Sequence, residues 1–370
     1  MKNKLLIVTS EFPPCPGGIG NHAYNLAKQL VKNNFNVTVI APRNGKVEDN
    51  EFDSTNDFKI KRYIDVRFIK IFTILSALFI SIVKWKGKIL IATGQSSLFC
   101  TSIFSKLFFK KSIAIFHGHE LRLGNRIITY LLKILIMQFD KIIAVSRFSK
   151  DYALESNSNI KISIINNGFD PIRFDSVPKK VHIESNALKL VTLGSLSYRK
   201  GQHNVISSLP YLQKKYGSVE YEMIGNPYLE PVLFKQAKQL DVHKSIKFHG
   251  LLNDRDLTKI LLRADIFIML SENVDSGDVE GFGIAILEAN YLGLPAIGST
   301  ECGIEDAISD GFNGKLINNK SPDDLYIASQ DILNNYQRYS ENSVEWAEDR
   351  TWMKVIDNYL IEIKNPKYSK

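Results

Sequence analysis

Eleven short apolar runs, most of them rich in Ile, Val and Leu, recur along the chain, each ending in or near Gly, Ser, Thr or Pro. Runs this short and this β-branched, separated by longer stretches with helical spacing, fit buried parallel strands alternating with helices. Six of them (KLLIVTS 4–10, VTVIAP 37–42, KILIATG 88–94, SIAIFHG 112–118, KIIAVS 141–146 and ISIINNG 162–168) lie in the first half, with helical patterns such as NHAYNLAKQLVKN (21–33) between them. A polar stretch, PKKVHIESNA (178–187), reads as a linker, and then the pattern restarts with LKLVTLGS (188–195), YEMIGNP (221–227), SIKFHGLL (245–252), DIFIMLS (265–271) and LPAIGST (294–300). The expected fold class is therefore α/β, with two Rossmann-like, doubly wound domains over 1–178 and 187–345. The closing segment 346–370 reads as one or two helices, expected to pack back on the first domain. Two such domains would face each other across a cleft. Ligands of open parallel sheets bind outside the carboxyl ends of the strands, so the residues just after each strand matter most.

Length and composition agree with an ordinary two-domain globular protein: 370 residues, 44% hydrophobic and 23% charged. The three cysteines, Cys15, Cys100 and Cys302, show no CxxC spacing. That argues against a disulfide framework or a structural zinc site and suits a reducing, cytoplasmic compartment. The opening MKNKLLIVTSEFPP carries too short an apolar run for a signal peptide.

One stretch, VEGFGIAILEANYLGLPAI (279–297), combines two carboxylates with a glycine turn. Glu280 precedes Gly281, Phe282 and Gly283, a helical pattern starts near Ile284, and Glu288 sits just over one turn inside it. Free amides at a helix start attract anions, and glycine lets a phosphate approach the backbone. Glu280 would then point into the cleft. Glu288, set back from the phosphate, could accept hydrogen bonds from a vicinal diol such as a ribose. On the residues alone, an ordinary solvated helix glutamate explains Glu288 equally well.

The Glu-x7-Glu pattern with GFG inside it, continuing as LEANYLGLPAIGS and IEDAISDGFNGKLI, closely resembles the donor-nucleotide motif of the retaining GT-B glycosyltransferases of family 4, the group 1 glycosyl transferases. EFPPCPGGIGNHAYNLAKQL resembles that family's N-terminal glycine loop and first helix, and IFHGHE its His-bearing strand end. VSRFSKDY, NNGFDPIRF and GSLSYRKG follow in the family's order, so the resemblance spans most of the chain.

The resemblance implies a fold of two Rossmann-like domains and a set of roles. Gly17 and Gly18, where glycine would permit positive φ, would form the loop touching donor phosphate and acceptor. His117 would face the transferred sugar, with His119 and Glu120 in support. Lys200 would neutralise the leaving diphosphate. The family commonly carries Arg at the position of Ser195, where this chain departs from the pattern, and Arg199 is the neighbouring residue able to compensate. Gly250 and Leu251 would offer backbone to the base. The implied reaction is retaining transfer from a nucleotide diphosphate sugar, with Glu280 binding sugar and tuning the field instead of forming a covalent bond. No metal or other cofactor is implied. Asp275 and Asp278 read as a solvated acidic loop.

Charge divides unevenly. Residues 1–180 hold 27 Lys and Arg against 13 Asp and Glu, while the remainder holds 20 against 26. From Val66 to His119 there are eight basic residues and no acidic one. The apolar run FIKIFTILSALFISIV (68–83) is too short to span a bilayer, which needs about 20 residues. Its polar and small positions, Arg67, Lys70, Thr73, Ala77, Ser81 and Lys84, recur at helical spacing, and LRLGNRIITYLLKILIMQF (121–139) repeats the theme. Such helices suit a membrane interface. They would equally serve to cover a sheet, with their apolar faces buried. The acid-free window favours peripheral attachment to the inner, anionic face of the cytoplasmic membrane, and nothing resembles a nucleic-acid-binding motif. The leading expectation is thus a glycosyltransferase acting on a lipid-linked or oligosaccharide acceptor in bacterial surface polysaccharide synthesis. The alternatives are a sugar phosphorylase or nucleotide-sugar epimerase, and a non-catalytic scaffold.

Overall fold

The computed structural model describes residues 3–15, 17–66, 69–84, 89–109, 111–118, 120, 134–154, 161–174, 177, 179, 187–274 and 278–365. Two compact units emerge: Met1–Gly168 with Trp352–Lys370, and Phe169–Thr351.

The first unit is built on a seven-stranded parallel sheet: β1 (Lys4–Thr9), β2 (Asn36–Pro42), β3 (Lys59–Tyr63), β4 (Ile89–Thr93), β5 (Lys111–Phe116), β6 (Lys141–Ala144) and β7 (Ile162–Ile164), in the order β3-β2-β1-β4-β5-β6-β7. The strands are in parallel register, Leu5 opposite both Val37 and Ile89. The central strands are apolar at successive positions because helices cover both faces, and Leu5, Leu6, Ile7 and Val8 are all fully buried. Each such side chain contributes about 1.5–3 kcal/mol on leaving water. The second unit carries a six-stranded parallel sheet: β8 (Leu188–Leu193), β9 (Val219–Ile224), β10 (Ile246–Phe248), β11 (Ile266–Met269), β12 (Ala296–Ser299) and β13 (Gly314–Ile317), in the order β10-β9-β8-β11-β12-β13. Strands β3 and β13 are additions to the pattern read from sequence. Both lie at sheet edges, and β3, KIKRY, is too polar to announce itself as a buried strand.

The sequence places the division in the polar stretch 178–187, but the second unit begins at Phe169. The reason is aromatic packing: Phe169 and Phe174 set their rings 5.4 and 6.5 Å from that of Tyr291, and the Phe169 N–H donates to the Arg350 carbonyl. The C-terminal division likewise falls later than 345. The helix Tyr336–Glu348 stays with the second unit, and the helix Trp352–Lys364 belongs to the first. There, Glu362 takes a 2.5 Å ion pair from Lys141 of β6 and a hydrogen bond from Ser163 of β7, while Lys111 of β5 donates to the Ile363 carbonyl. Lys141 is almost fully buried, so its partner on this last helix is needed to balance its charge.

Candidate active site

Each sheet reverses its strand order once, between β1 and β4 in the first unit and between β8 and β11 in the second. These reversals open the crevices in which doubly wound sheets hold ligands, and the sequence-predicted residues follow strands at or next to them, except Gly250 and Leu251, which follow the edge strand β10.

In the second unit, β8 ends at Leu193 and the chain passes through Gly194 and exposed Ser195 into a single turn, Tyr198–Lys200. Gly201 follows at φ +73°, against the end of β11: a Cβ there would stand 1.7 Å from the Leu270 carbonyl oxygen. Only glycine allows this approach, and it carries the cations of the turn across to the carboxylate after β11. Lys200 Nζ lies 2.9 Å from Glu280 Oε2, and the Arg199 guanidinium donates to the same oxygen while its Nε reaches Asp278 at 3.1 Å. Glu280 is 8% exposed. Burial alone would push its carboxyl up, but Lys200 and Arg199, together with hydrogen bonds from Lys200 and from the Gly283 amide, hold it down at about 2.

The amide contact matters for the helix that follows. Gly283 caps the helix Ile284–Tyr291 in the left-handed conformation, and the Glu280 carboxylate sits at its positive end. The carboxylate thus holds the anion position that the sequence assigns to a phosphate. Phe282 is 1% exposed, so its side chain anchors the turn and only its backbone can meet a ligand. Ile284 is half-buried. Glu288 is not a free solvated residue. Arg173, from the short turn Pro171–Phe174, donates to it at 3.1 Å and pairs with Asp254 at 3.1 Å. Burial raises the Glu288 carboxyl above the usual range, and the nearby Asp254 adds to this against the pull of Arg173 and Lys200. Arg173 and Asp254 lie far from Glu288 in sequence, and spacing alone does not mark them as site residues. The only signal was that Arg173 stands within NNGFDPIRF. Gly250 and Leu251 follow β10, with the Gly250 carbonyl accepting from the Gly225 amide and Leu251 exposed.

In the first unit, His117 and Gly118 directly follow β5. The Glu120 carboxylate accepts the amides of both, at 2.9 Å each, and is itself fully buried. This fixes the turn and aims the imidazole at β4, where Nε2 meets Thr93 Oγ1 at 2.8 Å. His22, on the helix Gly18–Lys32, packs edge-on against the His117 ring at 4.8 Å. Its Nε2 meets the Tyr359 hydroxyl at 2.8 Å. Burial lowers the His22 pKa to about 3, so it is neutral. The glycine loop departs from expectation. Gly17 is extended, at φ 178°, so the positive φ foreseen there is absent. Space does not demand glycine either: a Cβ on Gly17 would meet the Glu11 carboxylate at 2.2 Å, the movable end of a flexible side chain, and one on Gly18 would meet nothing among the described residues. His119 and Asp275 lie outside the described residues. Among the described residues no cluster of His, Cys, Asp and Glu could hold a metal.

Two parallel-sheet Rossmann-like units, each with its ligand-facing loops at a strand-order reversal, define the GT-B fold. Solved structures agree in fold: sucrose-phosphate synthase from Thermosynechococcus elongatus (TM-score 0.78, 13% identity, 98% of each chain) and HepE of Anabaena in complex with UDP and glucose (0.76, 18%, 98% of this chain and 99% of that one). Residues 16–173 match the model for "Glycosyltransferase Family 4" and residues 174–348 that for "Glycosyl transferases group 1". The chain belongs to these GT-B glycosyltransferases. Among curated relatives, it is 25% identical over 391 residues, covering 97% of each chain, to the GDP-mannose-dependent alpha-(1-6)-phosphatidylinositol monomannoside mannosyltransferase of Mycolicibacterium smegmatis.

Proposed function

We propose that the protein is a retaining glycosyltransferase that moves a sugar from a UDP- or GDP-sugar to a lipid-linked or oligosaccharide acceptor in bacterial surface polysaccharide synthesis, such as O-antigen, capsule or lipopolysaccharide. The observation that carries this reading is the convergence of Lys200 and Arg199 on Glu280 at the start of a helix, with Glu288 one turn further in. A leaving diphosphate needs cations and helix-end amides close together. Here two cations already share one carboxylate oxygen, so an arriving diphosphate would find both in place. Arg199 would supply the charge that Ser195 cannot.

Glu280, held ionised by its two cations, is unsuited to give up a proton at neutral pH. Its suggested part is to orient the cations and the sugar. Glu288 would accept the ribose diol, with Arg173 fixing its orientation. His117, fixed by Glu120 and Thr93, would serve as the sugar-contacting group of the first unit, and Gly17 and Gly18 as backbone for phosphate or acceptor. The chemistry draws on side chains and backbone alone and calls for no metal. A nucleotide-sugar donor is supported by the GDP-mannose dependence of the mycobacterial relative and by UDP in the HepE structure, and a lipid acceptor by that relative's phosphatidylinositol monomannoside. The acceptor chemistry and the basic first half favour the inner face of the cytoplasmic membrane.

The test is a thermal-shift screen of nucleoside diphosphates and their sugars with EDTA present, followed by donor turnover in a membrane extract. Ligand at 100-fold its Kd raises stability by about 2.7 kcal/mol. Absence of any shift, or phosphate-dependent release of sugar phosphate, would overturn the reading. The second outcome would point to a phosphorylase.

A further inference from the structure

Among the polar and small positions of the helix Lys70–Lys84, Thr73, Ala77 and Ser81 lie on its covered side. Ser81 is fully buried, accepts a hydrogen bond from Lys61 at 2.9 Å and donates to the Ala77 carbonyl; Thr73 donates to the carbonyls of Ile64 and Lys70. Ile74 and Leu78 fill the core beside them. Lys70 is turned back to Asp65 at 2.9 Å. The outward side is left to large apolar groups: Phe72 is 72% exposed and Phe79 57%, with Ile71 and Ile80 both at 49%. The helix Gln95–Phe108, which packs beside it, exposes Ile103 and Phe108. Single exposed apolar residues are ordinary, but a whole helix face of this kind on a water-soluble surface marks an interaction site.

We propose that this face enters the headgroup region of an anionic lipid bilayer, with Phe72 and Phe79 as its anchors. This deepens the peripheral-membrane part of the proposed function and rests on it for the occupant. Charge selects that occupant. The segment from Val66 to His119, which contains both helices, holds eight basic residues and no acidic one; Lys70 pairs with Asp65 and Lys111 turns to the Ile363 carbonyl, and the other six leave the segment net positive. Anionic headgroups complement that field, whereas a second copy of this chain docked on the same face would set it against itself. Interfacial helices bind through buried apolar area combined with electrostatic attraction, and the sequence supplies the second while the fold supplies the first. Among the described residues no helix is long and apolar enough to cross a membrane, so the face would lie in the interface plane.

The test uses the full chain and vesicles of phosphatidylcholine, pure or with phosphatidylglycerol. The wild type should co-sediment with the anionic vesicles, and Phe72→Ser with Phe79→Ser should weaken this by roughly 10-fold or more, because apolar area drives interfacial binding. Both residues are exposed, so the melting temperature should hold. The pair Ile71→Ser and Ile80→Ser probes the same face independently. Added salt should weaken wild-type binding through the basic residues, including Lys84, Lys86 and Lys88. Wild-type binding equal on both vesicle types, no binding to either, or unchanged binding of both double variants would overturn the proposal. So would a wild-type dimer that the variants convert to monomer. Vesicle binding without any nucleotide-induced thermal shift would leave this inference standing while the glycosyltransferase reading fell.

Discussion

Lys200 Nζ and Glu280 Oε2, 80 positions apart in sequence, stand 2.9 Å apart across the strand-order reversal of the second sheet. The pair exists because Gly201 lets the turn after β8 press against the end of β11. Lys200→Ala should therefore cut turnover far more than it weakens binding of the nucleoside alone, since its proposed partner is the diphosphate. Kinetics with the nucleotide sugar, set beside calorimetry with the nucleoside, check this. Arg199→Ala isolates the second cation. Wild-type kinetics in that variant would leave the diphosphate with Lys200 alone.

The ion cluster also predicts a pH profile of stability. The Glu280 carboxyl is depressed to about 2 in the folded state, below its ordinary value of 4.5. Its stabilising contribution is then complete above about 4.5 and is lost as pH falls towards 2. Denaturant titrations should show the wild type losing stability over that window and Glu280→Gln losing less. At neutral pH Glu280→Gln should be the less stable protein, because Lys200 and Arg199 lose their shared partner. Its turnover should fall while nucleotide affinity holds.

Glu288→Ala should weaken nucleotide binding by about 1.5–3 kcal/mol, the value of hydrogen bonds to a charged acceptor, read by calorimetry. Arg173→Ala should make that binding pH-dependent. Burial already raises the Glu288 carboxyl and Arg173 opposes the rise. Without the guanidinium the group should protonate at higher pH, and affinity should decline earlier as the solution is acidified. Parallel pH curves for wild type and variant would remove Arg173 from the site.

The contrast between Glu288 and the helix 70–84 shows which parts of the molecule could be read from sequence. The buried strands were legible because β-branched runs between covering helices admit few other folds. So were the loops at their ends, including Lys200, Glu280 and His117. The edge strand KIKRY escaped because its residues are half-exposed and polar. Arg173 escaped because its contact with Glu288 spans 115 positions. Helical periodicity divided residues 70–84 into two faces, but it could not say which face the core would take. Lys61, reaching Ser81 from β3, belongs to the strand that was missed.

The last helix ties these points to stability. His22 is fully buried and neutral, its Nε2 meets the Tyr359 hydroxyl, and its Nδ1 has no hydrogen-bond partner among the described residues. Trp352 packs against the same imidazole at 5.1 Å. Tyr359→Phe keeps the ring and its packing but leaves a second buried nitrogen unsatisfied. An orphaned buried polar group costs about 1–3 kcal/mol, so the variant should unfold at lower denaturant with an unchanged m-value. His22→Phe should recover part of that loss in the Tyr359→Phe background, because replacing both partners by apolar groups removes the desolvation cost along with the bond. The double-mutant cycle measures the coupling directly. If Tyr359→Phe is as stable as the wild type, the hydroxyl contributes nothing, and the helix Trp352–Lys364 is held to the first unit by its buried apolar face and by its contacts with Lys141, Lys111 and Ser163.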